Sequence, residues 1–515
     1  MKAAVCLLPL LLLAACAPPP AAPASGTDEP HRPRFHFTPD SMWMNDPNGL
    51  VYFDGEYHLF YQHYPDSTVW GPMHWGHAVS RDLLRWEHLP IALYPDSLGY
   101  IFSGSAVADS ANTSGFGAAG QIPLVAIFTH HDPAGERAGR DDFQYQSLAY
   151  SLDRGRSWTK YRGNPVLPNP GIRDFRDPKV IWHAPSRRWV MVLAAKDRIH
   201  FYTSPNLREW TFASEFGAGE GAHGGVWECP DLFELPVDGG PETQWVLLVS
   251  INPGGPNGGS ATQYFAGTFD GTRFIPGEGF GGQQAHWMDA GRDNYAGVTW
   301  SGIPQADGRR ILIGWMSNWD YAQTVPTRRW RSAMTLPRSL HLRRTPGGLR
   351  LASWPVEEAA RLRGPAVRTA LPALADRHPL PASGALRELE LALSWPGPAP
   401  AAAGVVLEND RGESLRIGYQ PAEQQYVIDR GQAPRQAFSP KFAGIQTAPR
   451  IAAGDTVRMR LIFDAASAEL FADGGLTVMT SIFFPEAPFT RAYLFREGGG
   501  DVQAAYTEWP LQPVR

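Results

Sequence analysis

The 515-residue chain is 43% apolar and carries a formal net charge of -5, from 46 basic and 51 acidic residues. That is ample core for two domains, with no basic surplus to attract nucleic acid, which is excluded as a partner. Fifty-three glycines, 47 prolines and 18 tryptophans, with short strand patterns set between turn signals, favour an all-β protein.

The N-terminus, MKAAVCLLPLLLLAACAPPPAAPASG, places one lysine before an apolar run too short to span a bilayer, and residues 1–15 read as an export signal. The stretch Leu13-Ala14-Ala15-Cys16 resembles the bacterial lipobox, which implies cleavage before Cys16, lipid on its sulfur and a membrane partner. An ordinary signal peptide with a chance cysteine is the alternative. Residues 16–32, rich in proline and alanine, then form a tether. Of the three cysteines, Cys6 and Cys16 belong to the signal, so Cys229 is left alone and no disulfide framework is expected.

Residues 33–340 contain four segments built as strand, polar turn and closing aromatic: HAVSRDLLRW (77–86), LAYSLDRGRSW (148–158), FYTSPNLREW (201–210) and FAGTFDGTRF (265–274). A unit returning roughly every 50 to 70 residues, with about four strands in each, is the signature of a β-propeller. Hairpins fill the intervals. Asp54-Gly55 turns one of them and Pro185-Ser186 another.

Three of these hairpins open on an acid: NDPNGLV (45–51), RDPKVIW (176–182) and ECPDLFEL (228–235). Proline lacks the ladder donor and is tolerated at the first position of a strand, which puts Asp46, Asp177 and Glu228 at strand entrances. The first strand of each propeller blade lines the axis, so these acids are expected to meet at one channel mouth. Singly, each is ordinary turn chemistry. Crowded together, carboxylates raise at least one pKa and cost stability, which marks a site.

Two carboxyl groups flanking a bond hydrolyse glycosides, one protonating the leaving oxygen while the other attacks or activates water. A third, ionised, stabilises a cationic transition state. Sequence spacing leaves retention and inversion open. Trp43, Gln62, Trp70, Trp75, Trp227, Trp315 and Trp319 lie in or beside these motifs and offer aromatic faces and an amide to a sugar ring. His130, His131 and Asp132 read as a solvated loop in preference to a metal site, and neither metal nor cofactor is expected.

The motifs WMNDPNG, FSGS, FRDPKV and WECPDLFEL, in that order, resemble glycoside hydrolase family 32, the invertases, inulinases and levanases. The longer stretches WGPMHWGHAVSRDLLRWEHLPIAL, NPGGPNGGSATQYFAGTFDG and GWMSNWDYAQTVPTRRWRSAMTLPR are similar to the exo-acting fructan β-fructosidases of that family. The resemblance implies a five-bladed β-propeller followed by a C-terminal β-sandwich, acting on fructan or sucrose; one blade must then lack a clear repeat. It implies Asp46 as nucleophile, Glu228 as acid then base, and Asp177 as an ionised stabiliser that holds ring hydroxyls. By the same resemblance Arg176, Asn45, Gln62, Trp70, Phe102 and Ser103 grip the fructosyl group, with Trp315 beside them. A partly apolar setting between Trp227 and Cys229, with negative neighbours, is the expected reason for Glu228 to stay protonated, and Cys229 is expected to be a packing thiol.

After residue 340 the chain changes character. PVEEAARLR reads as a short helix within a linker, 341–365, and alternating strands such as ELELALSW, SLRIGY, QYVIDR and TVRMRLIFDAASAELFADGG suggest a sandwich over 366–515. The stretch from Asp464 to Gly475 resembles the family's sandwich motif, but Ala465 and Ala466 stand where bulkier or polar residues are usual, which puts a substrate contact from this domain in doubt. Two rivals stay open: an inverting five-bladed glycosidase, and a fructan-binding protein without catalysis. Preference among levan, inulin and sucrose, and the oligomeric state, are not encoded in these motifs.

Overall fold

A computed structural model describes residues 29–382, 384–433 and 436–514. Its first five sheets follow one another along the chain, and each is a run of antiparallel hairpins. Blade one is Met42–Phe53, Glu56–Tyr64, His74–Ser80 and Glu87–Leu93; blade two is Tyr100–Ala108, Leu124–His131, Gln144–Ser151 and Thr159–Lys160. Blade three is Phe175–His183, Arg188–Ala195, Arg198–Ser204 and Thr211–Phe216; blade four is Val226–Pro236, Thr243–Asn252, Ala261–Phe269 and Phe274–Pro276. Blade five is Tyr295–Thr299, Ile311–Met316, Arg338–Thr345 and Gly348–Pro355. The turn at Asp54-Gly55 has positive φ at both residues, 50° and 83°, a backbone twist that suits a two-residue hairpin.

A blade is covered on both faces by its neighbours, so its strands are apolar in both phases of the pleat. Arg188–Ala195 shows the sorting: Val190 and Val192 pack with Phe201, Leu247 and Phe265, while Met191 and Leu193 pack with Ile127 and Leu148 on the other side. The core is thereby divided into clusters lying between successive blades. The ring is closed between blades five and one, where Tyr52 N donates to Ser301 O (2.8 Å) and Ser301 N to Leu50 O (2.9 Å). Trp330–Arg331 reinforces the joint by running parallel to Met42 and Trp43.

The four repeated segments are the third strand and following turn of blades one to four. Blade five lacks the copy because its third and fourth strands are joined directly around Pro346-Gly347. This also corrects the domain boundary. Arg338–Thr345 and Gly348–Pro355 pair along their whole length and belong to blade five, so the propeller ends at Pro355 and not at 340. The connection is then a single 3-10 helix, Glu357–Leu362. At the other end residues 29–32, expected within the tether, are held in place: Arg32 is buried and ion-pairs with Glu29 at 2.6 Å. Cys16 and the signal lie outside the described residues.

The C-terminal domain is two six-stranded sheets packed face to face, with Leu389, Leu391, Val405, Ile417, Leu461 and Leu494 in the shared core. It meets the propeller through buried ions. Arg338 of blade five donates to Asp289 (2.8 Å) and to Glu469, while His36, ahead of blade one, sits between Asp464 and Glu469 at 2.7 Å from each. Arg430 reaches Asp293 at 2.8 Å. Asp464 also accepts the backbone N–H groups of Arg34, Phe35 and His36, so the family-like sandwich motif serves as a clamp on the N-terminal segment.

Candidate active site

In each blade the innermost strand carries a break in register at the same level: between Met44 and Pro47, Ile101 and Gly104, Arg176 and Lys179, Glu228 and Asp231, and Tyr295 and Val298. These are β-bulges, which bend a strand and re-aim a side chain. Asp177 and Cys229 have φ of 65° and 44°, and Ala296 has 53°, the left-handed region that non-glycine residues rarely occupy. Asp46, Asp177 and Glu228 therefore converge because the same kink recurs around the ring. The prolines that follow two of the acids directly, and Cys229 by one place in the third motif, lie within the strands and not at their first positions. They are tolerated there because at these positions the innermost strand has no ladder partner on its channel side, blade one being joined to Trp330–Arg331 only at Met42 and Trp43, and because the bulge has already broken the ladder.

The three acids line one cavity of about 280 Å³. Asp46 is fixed from three sides: Ser103 Oγ donates to Oδ2 at 2.7 Å, Asn45 Nδ2 to Oδ1 at 3.0 Å, and the Cys229 thiol to Oδ2 at 3.4 Å. Asn45 is itself held by the Trp43 indole N–H (2.7 Å). Asp177 accepts the Cys229 N–H at 3.0 Å and, through its own N–H, donates to Thr129 Oγ1 at 3.0 Å. Glu228 lies between Arg176 Nη2 (3.0 Å) and the Tyr295 hydroxyl, which donates to its other oxygen. The apolar setting expected for Glu228 is absent: alternation along the strand turns Trp227 into the core, bonded to Ala222 O at 3.0 Å, and leaves Glu228 among polar groups.

Burial, and then the charge of Glu228, push the Asp46 carboxyl above its ordinary range, against the pull of Ser103, Asn45 and Cys229. Asp177 is pushed the same way by burial and by Glu228 and Asp46, with Arg176 opposing. The Cys229 thiol is driven far up by burial and by all three carboxylates, so it stays protonated and acts as a buried donor. Arg176 is held charged by Glu228, Asp174 and Asp177 in spite of its burial.

Gln62 lines the cavity with its amide locked onto Asn48 Oδ1 (2.7 Å) and Ile101 O (3.1 Å). Phe102 lies flat against His131 with centroids 4.3 Å apart, and Trp70 stands at the rim, edge-on to Phe102 at 6.0 Å. Trp315 is not at the site. It is fully buried between Trp43 and Trp319, and among the tryptophans of the motifs only Trp70 and Trp319 line the cavity. Trp43, Trp75 and Trp227 are core.

Sequence reasoning missed Gln144 and Asp174. Gln144 Oε1 accepts from Phe175 N (2.9 Å) and Arg176 Nη1 (3.3 Å), and Asp174 pairs with Arg176 at 2.6 Å. Asp174 precedes the strand Phe175–His183 and has φ of 60°, so strand alternation gave no signal for it. His130 and His131 end a fully buried strand and are not a solvated loop, while Asp132 caps the short helix Pro133–Arg137. His131 reaches the cavity wall, 3.2 Å from Gln144 and 3.1 Å from Glu136. The lining residues all come from the propeller.

Residues 36–355 match the profile of the Glycosyl hydrolases family 32 N-terminal domain, and residues 358–509 that of the Glycosyl hydrolases family 32 C terminal. The chain belongs to glycosyl hydrolase family 32. This family 32 enzyme is 48% identical over 506 residues to a levanase of Bacillus subtilis (strain 168), covering 96% of its own chain and 72% of that relative. It is 40% identical over 525 residues to the extracellular exo-inulinase inuE of Aspergillus niger, covering 94% and 95%. Among solved structures it is similar to the exo-inulinase of Aspergillus awamori, with a TM-score of 0.85, 37% identity and 94% and 99% coverage. A fructofuranosidase of Schwanniomyces occidentalis complexed with fructosylnystose gives a TM-score of 0.85 at 31% identity, covering 95% and 99%.

Proposed function

We propose that the chain is an exo-acting, retaining β-fructosidase that releases terminal β-D-fructofuranosyl units from levan, inulin and sucrose. The observation that carries this reading is the meeting of Asp46, Asp177 and Glu228 in a single cavity at the channel mouth, in a chain similar to a levanase and to exo-inulinases. A cavity of about 280 Å³ suits the end of a chain better than its middle.

In this mechanism Asp46 attacks the anomeric carbon while Glu228 gives its proton to the leaving oxygen, so that one C–O bond forms as the other breaks. Glu228 then removes a proton from water, which displaces Asp46 and restores both groups. Ser103, Asn45 and Cys229 aim the Asp46 carboxylate, and Arg176 with Tyr295 sets the plane of the Glu228 carboxyl. Asp177, fixed by the Cys229 N–H, faces the developing positive charge. Glu228→Gln should lower fructose release from all three substrates by roughly 100- to 10,000-fold. Chromatography of the products over time, with the anomer of the first-formed fructose read by NMR, tests the reading; full activity in this variant, or an inverted first product, removes it.

Anchorage by lipid at Cys16 belongs to the same proposal and is supported by the stretch Leu13-Ala14-Ala15-Cys16. Cys16→Ala should move the protein from the membrane fraction to the soluble one, and unchanged fractionation discards the anchor.

A further inference from the structure

The channel has a second mouth. Residues at the far ends of the inner strands, remote from the three acids, surround a separate cavity of about 560 Å³. Between the two lie the buried Lys179 and Asp231, 3.1 Å apart, with Lys179 also donating to Thr299 O at 2.6 Å. This pair plugs the axis, so the far cavity does not communicate with the acids as one pocket.

Its wall is aromatic. Tyr52, Phe53, Trp182, Trp189 and Trp245 come from three blades. Trp182 stands 42% exposed, braced edge-on at 5.1 Å by Trp189, which is 5% exposed. An indole left largely in water and held by a buried partner is a ready platform for a flat apolar face. Arg310 supplies the polar counterpart. Its guanidinium lies over the Phe233 ring at 5.2 Å, lines the cavity, and has no hydrogen-bond acceptor or carboxylate in ion-pair contact among the described residues. Two carboxylates share the rim: Glu234, which accepts from Thr243 at 2.5 Å, and Asp54, which pairs with Arg154 at 2.6 Å.

Asp54 is already paired with Arg154, and Arg310 offsets Glu234, so the rim presents no surplus of either sign to favour an anion or a cation. A neutral ligand with hydroxyls fits: its C–H face covers Trp182, its oxygens accept from Arg310 and its hydroxyls donate to Glu234 and Asp54. We propose that the far mouth is a second carbohydrate-binding site, which holds one or two sugar units of a neutral fructan chain while another chain end is cleaved at the acids. The ligand class rests on the fructosidase reading above. The site itself rests on Trp182, Arg310 and the cavity.

Hydroxyl-radical footprinting of the full chain carrying Asp46→Asn, with levan or inulin added, separates the two. Oxidation is read by mass spectrometry at Trp182, at Trp70 on the rim of the acid cavity (38% exposed), and at Phe212 (51% exposed) as a control for radical scavenging. Both tryptophans are expected to be protected at least three-fold relative to Phe212, and Arg310→Gln should lower protection at Trp182 only. Protection of Trp70 without Trp182 overturns the second site and leaves the fructosidase reading standing. Protection of Trp182 alone supports the second site and counts against the acid cavity as a fructan site. Protection of neither overturns both.

Discussion

His36 offers a direct test of how the two domains are joined. It is fully buried, 2.7 Å from Asp464 and 2.7 Å from Glu469, and although burial works against its charge, the two carboxylates raise its pKa from the ordinary 6.5 to about 9. A raised histidine stabilises the fold through its bound proton. That contribution is complete below 6.5, the unfolded value, and is lost as pH climbs through 9. At about 1.4 kcal/mol for each tenfold change in proton affinity, the rise corresponds to roughly 3 kcal/mol. This agrees with the roughly 3–5 kcal/mol typical of breaking a buried ion pair by removing one partner, here with Asp464 and Glu469 left behind. His36→Gln should therefore cost roughly 3 kcal/mol near pH 6, and the difference from the unaltered protein should shrink toward zero by pH 10. Guanidinium unfolding followed by tryptophan fluorescence at pH 6, 8 and 10 measures it. A deficit of the same size at every pH would show that His36 acts by packing, and would refute the assignment of a buried imidazolium.

Three further outcomes follow from the site and its surroundings. As the proposed nucleophile Asp46 acts in its ionised form, and its pKa is raised by burial and Glu228, so kcat/KM for sucrose should fall on the acid side at a pH above the ordinary 3.8, as a pH–rate profile will show. The same upward displacement penalises the fold as pH rises past the unfolded value of 3.8, so replacing the proposed nucleophile, Asp46→Asn, should abolish hydrolysis yet raise the thermal midpoint at pH 7, with the gain vanishing below about pH 4, readable by calorimetry. Trp315→Ala should cost about 3–5 kcal/mol of stability as a buried aromatic, whereas Trp319→Ala should mainly raise KM; denaturation and steady-state kinetics on the two variants distinguish core from cavity wall.

Much of this protein was legible in order along the chain. Turn chemistry at Asp54-Gly55, the aromatic-closed third strands and the alternation in ELELALSW are local signals, and local signals survive in a linear text. The acids were legible for the same reason, since each stands at a fixed phase of the repeat. The end of the propeller was not, because nothing within Arg338–Thr345 states that its partner is Ile311–Met316 in place of a sandwich strand.

By itself, then, the sequence determined the all-β class, the period of the blades and the three acids, all of which depend on residue type and spacing. Only the tertiary structure decided which tryptophans face a ligand: Trp315 and Trp319 are four residues apart, yet one is sealed beneath the other, a matter of where an irregular segment leaves the blade. It also decided that Gln144, Asp174 and Tyr295 surround Arg176 and Glu228, and that His36 lies buried between Asp464 and Glu469. Such environments are set by groups distant in the chain, and their energies arise from burial and proximity, which no stretch of sequence contains.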